Sequence, residues 1–182
     1  VPHHDYQIAM ALVTRDLRPS DFTDLVDNYY RFYDEVKENP AFGIVLYHKK
    51  PSLSDELNWF SGLYKKVIDG DAIAIVAEVD SHVVGFCEVS RYQPGSDVSH
   101  RAGLGLHVNK DQRGKGVGTA LIRETLQRCR GRYEVVELTV LTANTAAKRL
   151  YGKFGFKTYG ARPRSLKRGD KYFDEELMRL EI

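Results

Sequence analysis

A chain of 182 residues, 42% hydrophobic and 29% charged with only 6 prolines, has the length and composition of one folded domain, residues 1–182, with its own core and no low-complexity segment. Its 27 basic and 25 acidic side chains leave a formal charge of +2, which excludes the strong positive bias of a nucleic-acid or anionic-membrane binder. No apolar run is long enough to cross a bilayer as a helix and no charged-then-apolar leader opens the chain, so a cytoplasmic protein is expected.

Ile8 to Val13 is a short apolar run suited to a first strand. Ser20 then stands as a helix cap before Phe22, Leu25, Val26, Tyr29, Tyr30 and Tyr33, whose spacing predicts a helix. Gly43 to Pro51 reads as loop. The next segment opens on Ser and Asp, carries Leu57, Phe60, Leu63, Tyr64, Val67 and Ile68 on one stripe and closes at Gly70, which predicts a second helix with Trp59 in the core.

The period then changes. "AIAIVAEV" and "VVGFCEVSRY" are β-rich runs separated by "DSH", a hairpin signal, and "AGLGLHV" supplies a third run after the turn-forming "QPGSD". Val117, Leu121, Ile122, Leu126 and Cys129 form a helical stripe ending at Gly131. "EVVELTVL" predicts a strand, "NTAAKRLYGKF" a helix that Gly155 ends, and "GFKTYGA" and "KYFDEELMRLEI" two last strands. The order β-α-α-β-β-β-α-β-α-β-β predicts a mixed α/β (α+β) fold with a largely antiparallel sheet and helices on its faces. Cys87 and Cys129 lie in apolar patterns without metal spacing, so buried free thiols in a reducing compartment are expected and no metal.

"QRGKGVGTAL", Gln112 to Leu121, carries the chemistry. A Walker loop requires Ser or Thr after Gly-Lys, whereas Gly114-Lys115 is followed by Gly116. A dinucleotide fingerprint requires glycine at the position of Thr119, and the βαβ repeat is missing. What remains is a strand, a short turn and a helix start rich in glycine. Free N–H groups and the helix dipole favour an anion there, glycines permit close approach, and Arg113 and Lys115 add charge, so the run predicts a diphosphate cradle.

At this point the chain resembles the GNAT superfamily of acyl-CoA-dependent N-acyltransferases. Arg113-Gly114-Lys115-Gly116-Val117-Gly118 meets its signature of Arg or Gln, two residues, Gly, one residue, and Gly or Ala. The strand before it, "LGLHV", is similar to the family's fourth strand, and "ANTAAKRLYGKFGF" resembles its second motif. The resemblance implies a sheet of about seven strands splayed between strands 4 and 5, and acetyl-CoA as co-substrate. It implies that amides of Arg113, Gly114, Lys115, Gly116, Val117, Gly118 and Thr119 hold the diphosphate. Leu106, His107 and Val108 would line the pantetheine arm, with the Leu106 N–H as oxyanion donor and His107 filling space beside the cofactor. Asn144 caps a helix and touches the cofactor. Tyr151, seven residues on and so on the same side of the helix, would protonate the departing thiolate.

Many relatives place a Glu or His on the fourth strand as base, but those positions here hold Ala102 and Leu104. Glu88, in an apolar strand and alternating with Phe86 and Ser90, becomes the first candidate for the base, against the alternative of a solvated surface carboxylate. Asp34 or Glu35 on the aromatic first helix would attract a cationic amine, unless that helix only packs its rings on the sheet. The expectation is an N-acetyltransferase acting on a small-molecule or protein amine in a ternary complex, monomer or homodimer, without nucleic acid or membrane partners. A non-catalytic acyl-CoA sensor, and less favourably a nucleic-acid module on the basic carboxy-terminal region, are the other classes left open.

Overall fold

The computed structural model describes residues 11–182. Seven strands form one sheet in the order β1-β2-β3-β4-β5-β7-β6: β1 (Val13–Asp16), β2 (Ala72–Val79), β3 (His82–Arg91), β4 (Arg101–Val108), β5 (Val135–Leu141), β6 (Lys157–Arg168) and β7 (Lys171–Glu181). Four helices accompany them: α1 (Phe22–Glu38), α2 (Leu53–Ile68), α3 (Val117–Cys129) and α4 (Thr145–Lys153). All neighbouring strands run antiparallel except β4 and β5. No helix among the described residues is long and apolar enough to cross a membrane.

The alternation of β2 and β3 divides the core in two. Ile73, Ile75, Cys87 and Val89 face α3, whose Val117, Leu121, Ile122 and Cys129 are buried against them. Ala72, Ala74, Val76 and Phe86 face the other way, onto Leu25 of α1 and Phe60 and Leu63 of α2. A strand covered on both faces reads as a continuous apolar run, which is why "AIAIVAEV" lacks clean alternation. The β2–β3 turn places Asp80 and Ser81 at φ 53° and 63°, the left-handed pair that matches strand twist in a two-residue hairpin. Cys87 and Cys129 are buried free thiols, and burial pushes each up to about 12.

Several boundaries differ from expectation. The first strand begins at Val13, and Ile8 to Met10 lie outside the described residues. Ser20 does not cap α1; a single 3-10 turn over Pro19–Asp21 precedes the helix, and the Asp21 carboxylate instead accepts from Arg15 and from the Arg18 amide at 2.8 Å. At α2 the cap is Ser52, in a reciprocal box with Asp55. Leu57 and Ile68, assigned to the buried stripe, are 52% and 71% exposed. Trp59 is 41% exposed rather than core.

The split in the sheet follows from register. β4 and β5 pair only over Arg101–Gly103 with Val135–Glu137, while β4 stays paired to β3 along its whole length. From Leu104 onward the β5 side of β4 is therefore open.

Candidate active site

The ladder between β3 and β4 decides which backbone groups face that opening. The Tyr92 amide donates to the Arg101 carbonyl at 3.0 Å and the Asn109 amide to the Val84 carbonyl at 2.9 Å. In an antiparallel ladder such pairs alternate, so the odd-numbered positions of β4 spend their amides and carbonyls on β3. Leu104, Leu106 and Val108 consequently direct theirs into the split. The Val108 carbonyl is taken, because Arg113 Nε donates to it at 2.9 Å, which leaves its amide.

The split leads from the start of α3. Gly114 and Gly116 adopt φ +70° and +85°, a conformation side chains resist, and the space a Cβ would occupy at either is empty. Gly118 matters for space instead. A Cβ there would lie 3.0 Å from Leu150 Cδ2, so its glycine lets α3 sit against α4. Val117 is buried, and a Cβ on Gly85 would come within 3.1 Å of it, so two small contacts seat the helix start firmly on the sheet. The amides from Gly114 to Thr119 donate to no acceptor among the described residues, the Ala120 amide being the first to enter the helix ladder, at 3.0 Å from the Gly116 carbonyl. Lys115 is exposed at the rim.

The expectation that Arg113 charges this cradle is corrected. Its guanidinium forms a two-toothed pair with Glu35, at 2.5 and 2.9 Å, and lies 4.6 Å from the centre of the Phe42 ring. Glu35 is thereby spent on structure and Asp34 pairs with Lys50 at 2.9 Å, so neither of the two α1 acids considered for drawing in an amine is without a partner. His107 lies edge-on to Phe32 at 4.8 Å and bonds Asn109 Oδ1 through Nε2 at 3.1 Å; burial first, then the Arg113 charge, bring it down to about 4 against the pull of Asn109, so the ring is neutral.

On the far side of β4 lies a cavity of about 1140 Å³, bounded by α1, the 44–52 loop, α2 and the sheet. Glu88 and Phe86 of β3, and Gly105, Leu106 and His107 of β4, form its floor. Glu88 is half-buried, opposite Gly105, and burial holds its carboxyl above the usual range despite Lys66. Gly105 is exposed and has no side chain to cover it. The walls include Tyr29, from the aromatic first helix considered for the acceptor side, and Tyr47, Trp59 and Glu56, which the sequence pattern does not single out as site residues. Glu56 is the polar member of the α2 stripe, and a lone acid at an inward helical position is the available signal.

Asn144 caps α4, its Oδ1 accepting from the Ala147 amide at 3.2 Å. Tyr151, at the other end of α4, is buried, lies edge-on to Phe156 at 5.9 Å and feels the Cys87 thiol on the next layer. Burial raises its phenol above the ordinary range. Thr125 Oγ1 is the one sealed side-chain polar atom without a partner among the described residues, so the unpartnered Tyr151 hydroxyl borders open space.

A family model described as the acetyltransferase (GNAT) family matches residues 20–156. The chain belongs to the GNAT acetyltransferase family. Membership places it among the acyl-CoA-dependent acetyltransferases, with the seven-stranded, split sheet that the resemblance implied. An L-amino acid N-acetyltransferase of Escherichia coli (strain K12) is 33% identical over 106 residues, a match spanning 57% of this chain and 65% of that protein. An L-methionine sulfoximine/L-methionine sulfone acetyltransferase of Pseudomonas paraeruginosa is 23% identical over 172 residues, covering 93% of this GNAT chain and 96% of the relative. Among solved structures, a phosphinothricin acetyltransferase of the same superfamily from Sinorhizobium meliloti, in complex with acetyl-CoA, superposes with a TM-score of 0.79 at 20% identity, over 95% of this chain and 89% of that one. The last is a likeness of fold.

Proposed function

We propose that this chain transfers the acetyl group of acetyl-CoA to the primary amine of a small-molecule acceptor, by direct attack within a ternary complex. One observation carries the reading: the open edge of Leu104 to Val108 joins a row of unpartnered amides at the start of α3 to a cavity floored by Glu88. The named relatives act on amino acids or their analogues, and a related fold holds acetyl-CoA, which supports both partners in kind.

The residues present fit that cofactor. Gly114 to Thr119 offer amides and positive dipole potential to a diphosphate, with Lys115 adjacent. The exposed edge of β4, through Leu104, Leu106 and the Val108 amide, offers hydrogen bonds to the amide-bearing arm in the manner of an added strand. Asn144, at the start of α4, keeps its side-chain amide nitrogen for the same ligand. When bound, acetyl-CoA supplies an acyl group activated as a thioester.

Leu106 directs its N–H into the split, where it stabilises negative charge developing on an acyl oxygen. Glu88 takes a proton from the acceptor amine; its burial makes it a better base than a solvated carboxylate. Tyr151 gives its phenolic proton to the leaving sulfur, and its raised affinity for that proton keeps it a donor throughout the neutral range. Glu88 lines a cavity open to solvent and sheds its proton there between turnovers, and Tyr151 regains one through the open space that its hydroxyl borders. His107 serves as a neutral wall. The two buried thiols fit a reducing, cytoplasmic setting.

The test is thiol release from acetyl-CoA across a panel of amines, with the product identified by mass. Amine-dependent release matched by N-acetylated product supports the reading; release without an acetylated amine contradicts it.

A further inference from the structure

The acceptor cavity holds acid that the protein does not neutralise. Glu56, on the first turn of α2, is 6% exposed, lines the cavity, and makes no ion pair or side-chain hydrogen bond with a described residue. It is not among the sealed atoms, so its carboxylate oxygens look into the open volume. Burial and the neighbouring Asp55 hold its carboxyl above the usual range. A largely buried carboxyl whose oxygens reach the cavity and meet no protein donor is open to a ligand that supplies the partner.

The bases nearby do not supply it. Lys50 is committed to Asp34 and lies 5.3 Å from the centre of the Tyr30 ring. His48 and Lys49 are exposed at the rim, His107 is neutral, and no arginine occurs among the lining residues. An acceptor bearing a carboxylate beside its amine would meet Glu88 with no interior cation to offset it. An acceptor bearing a second ammonium would meet Glu56 among the aromatic side chains of Tyr29, Tyr47, Trp59 and Phe86, a ring type that attracts cations. Trp59 and Phe86 stand edge to face with centres 6.2 Å apart, a rigid apolar wall along which a methylene chain packs.

We infer that Glu56 anchors a second positive charge of the acceptor, so that the preferred substrates are diamines, one amine acetylated beside Glu88 and the other held at Glu56. This rests on the acetyl-transfer reading and narrows its substrate class. Atoms balance as in that reaction: one N–H becomes an N-acetyl bond, the thioester becomes a free thiol, and the second ammonium is unchanged.

The experiment compares kcat/KM for unbranched α,ω-diamines, monoamines of equal chain length and L-amino acids, in the wild type and in Glu56→Gln. Diamines are expected to exceed monoamines by about tenfold or more, and Glu56→Gln to raise the diamine KM by about that factor with kcat and the monoamine KM little changed. Calorimetric titration of 1,3-diaminopropane and its longer homologues into the CoA-loaded protein should show binding that Glu56→Gln removes. The variant should melt no lower than the wild type, since it loses an unpartnered buried acid, and Glu56→Ala checks that the effect follows the charge. Equal efficiency for diamines and monoamines, equal loss on both in the variant, or a preference for L-amino acids overturns the inference and leaves acetyl transfer standing. Glu56-dependent diamine binding without any acetylated amine keeps the anchor and defeats the transfer reading; absence of both defeats both.

Discussion

Glu88 lines the cavity on one face of the sheet and Tyr151 packs in the core on the α3 face, and burial pushes both toward holding protons. For Glu88 the consequence is a sign. As the proposed base Glu88 would work deprotonated, and burial moves its titration upward, so kcat/KM should rise with pH through a midpoint above that of a free carboxylate. Glu88→Gln should lower kcat by about 10²-fold and abolish that rise, while acetyl-CoA affinity holds. Tyr151→Phe should lower kcat by about 10²-fold as well, with the acetyl-CoA dissociation constant unchanged, as measured by steady-state kinetics beside calorimetry. His107, already neutral above about 4, should be replaceable by Gln without moving the pH profile near neutrality. Glu88 is legible in the sequence because an acid in an apolar strand is anomalous. Trp59 misleads there, since its aromatic size suggests core and only the position of the 44–52 loop leaves it a cavity wall.

The glycines at the start of α3 divide into a pair that free the backbone and one that frees space. Gly116→Ala places a Cβ at φ +85° in empty surroundings, so it should cost about 1 kcal/mol of stability and weaken acetyl-CoA binding several-fold by tilting the cradle amides. Gly118→Leu should do more damage, because Leu150 is already 3.0 Å from the first added carbon; thermal unfolding and calorimetry separate the two effects. Spacing alone makes this element readable: a strand, a turn and three glycines around the first residue of an apolar stripe. It does not separate the roles of the glycines, because φ and the approach of α4 are tertiary facts. The start of α1 escapes the sequence pattern for a similar reason, since Asp21 is claimed by Arg15 from a strand and Ser20 is bypassed by a 3-10 turn.

Across the whole molecule, one side chain from the end of β6 ties down the first part of the loop after α1. Arg168, in the β6–β7 hairpin, donates to the carbonyls of Pro40, Phe42 and Ile44 at 2.5, 2.7 and 2.5 Å. Ile44 lines the acceptor cavity, and the Phe42 ring lies over Arg113, which in turn binds Glu35 and the Val108 carbonyl at the mouth of the split. Arg168→Ala should therefore loosen the acceptor side more than the cradle, raising the acceptor KM several-fold with acetyl-CoA affinity nearly unchanged, at a stability cost of about 2 kcal/mol. Element order is legible in the sequence because periodicity is local, whereas the position of the split comes only from the resemblance of the paired motifs to a known family. The contacts of Arg113 and Arg168 join residues 78 and more than 120 positions apart, and no spacing pattern announces them. The proposed chemistry turns on the free amides of α3 and the open edge of β4 together gripping a thioester-bearing diphosphate. Titration calorimetry of the folded protein with acetyl-CoA measures that directly: binding at one site per chain is predicted, and the absence of any binding heat, with circular dichroism showing the fold intact, would contradict it.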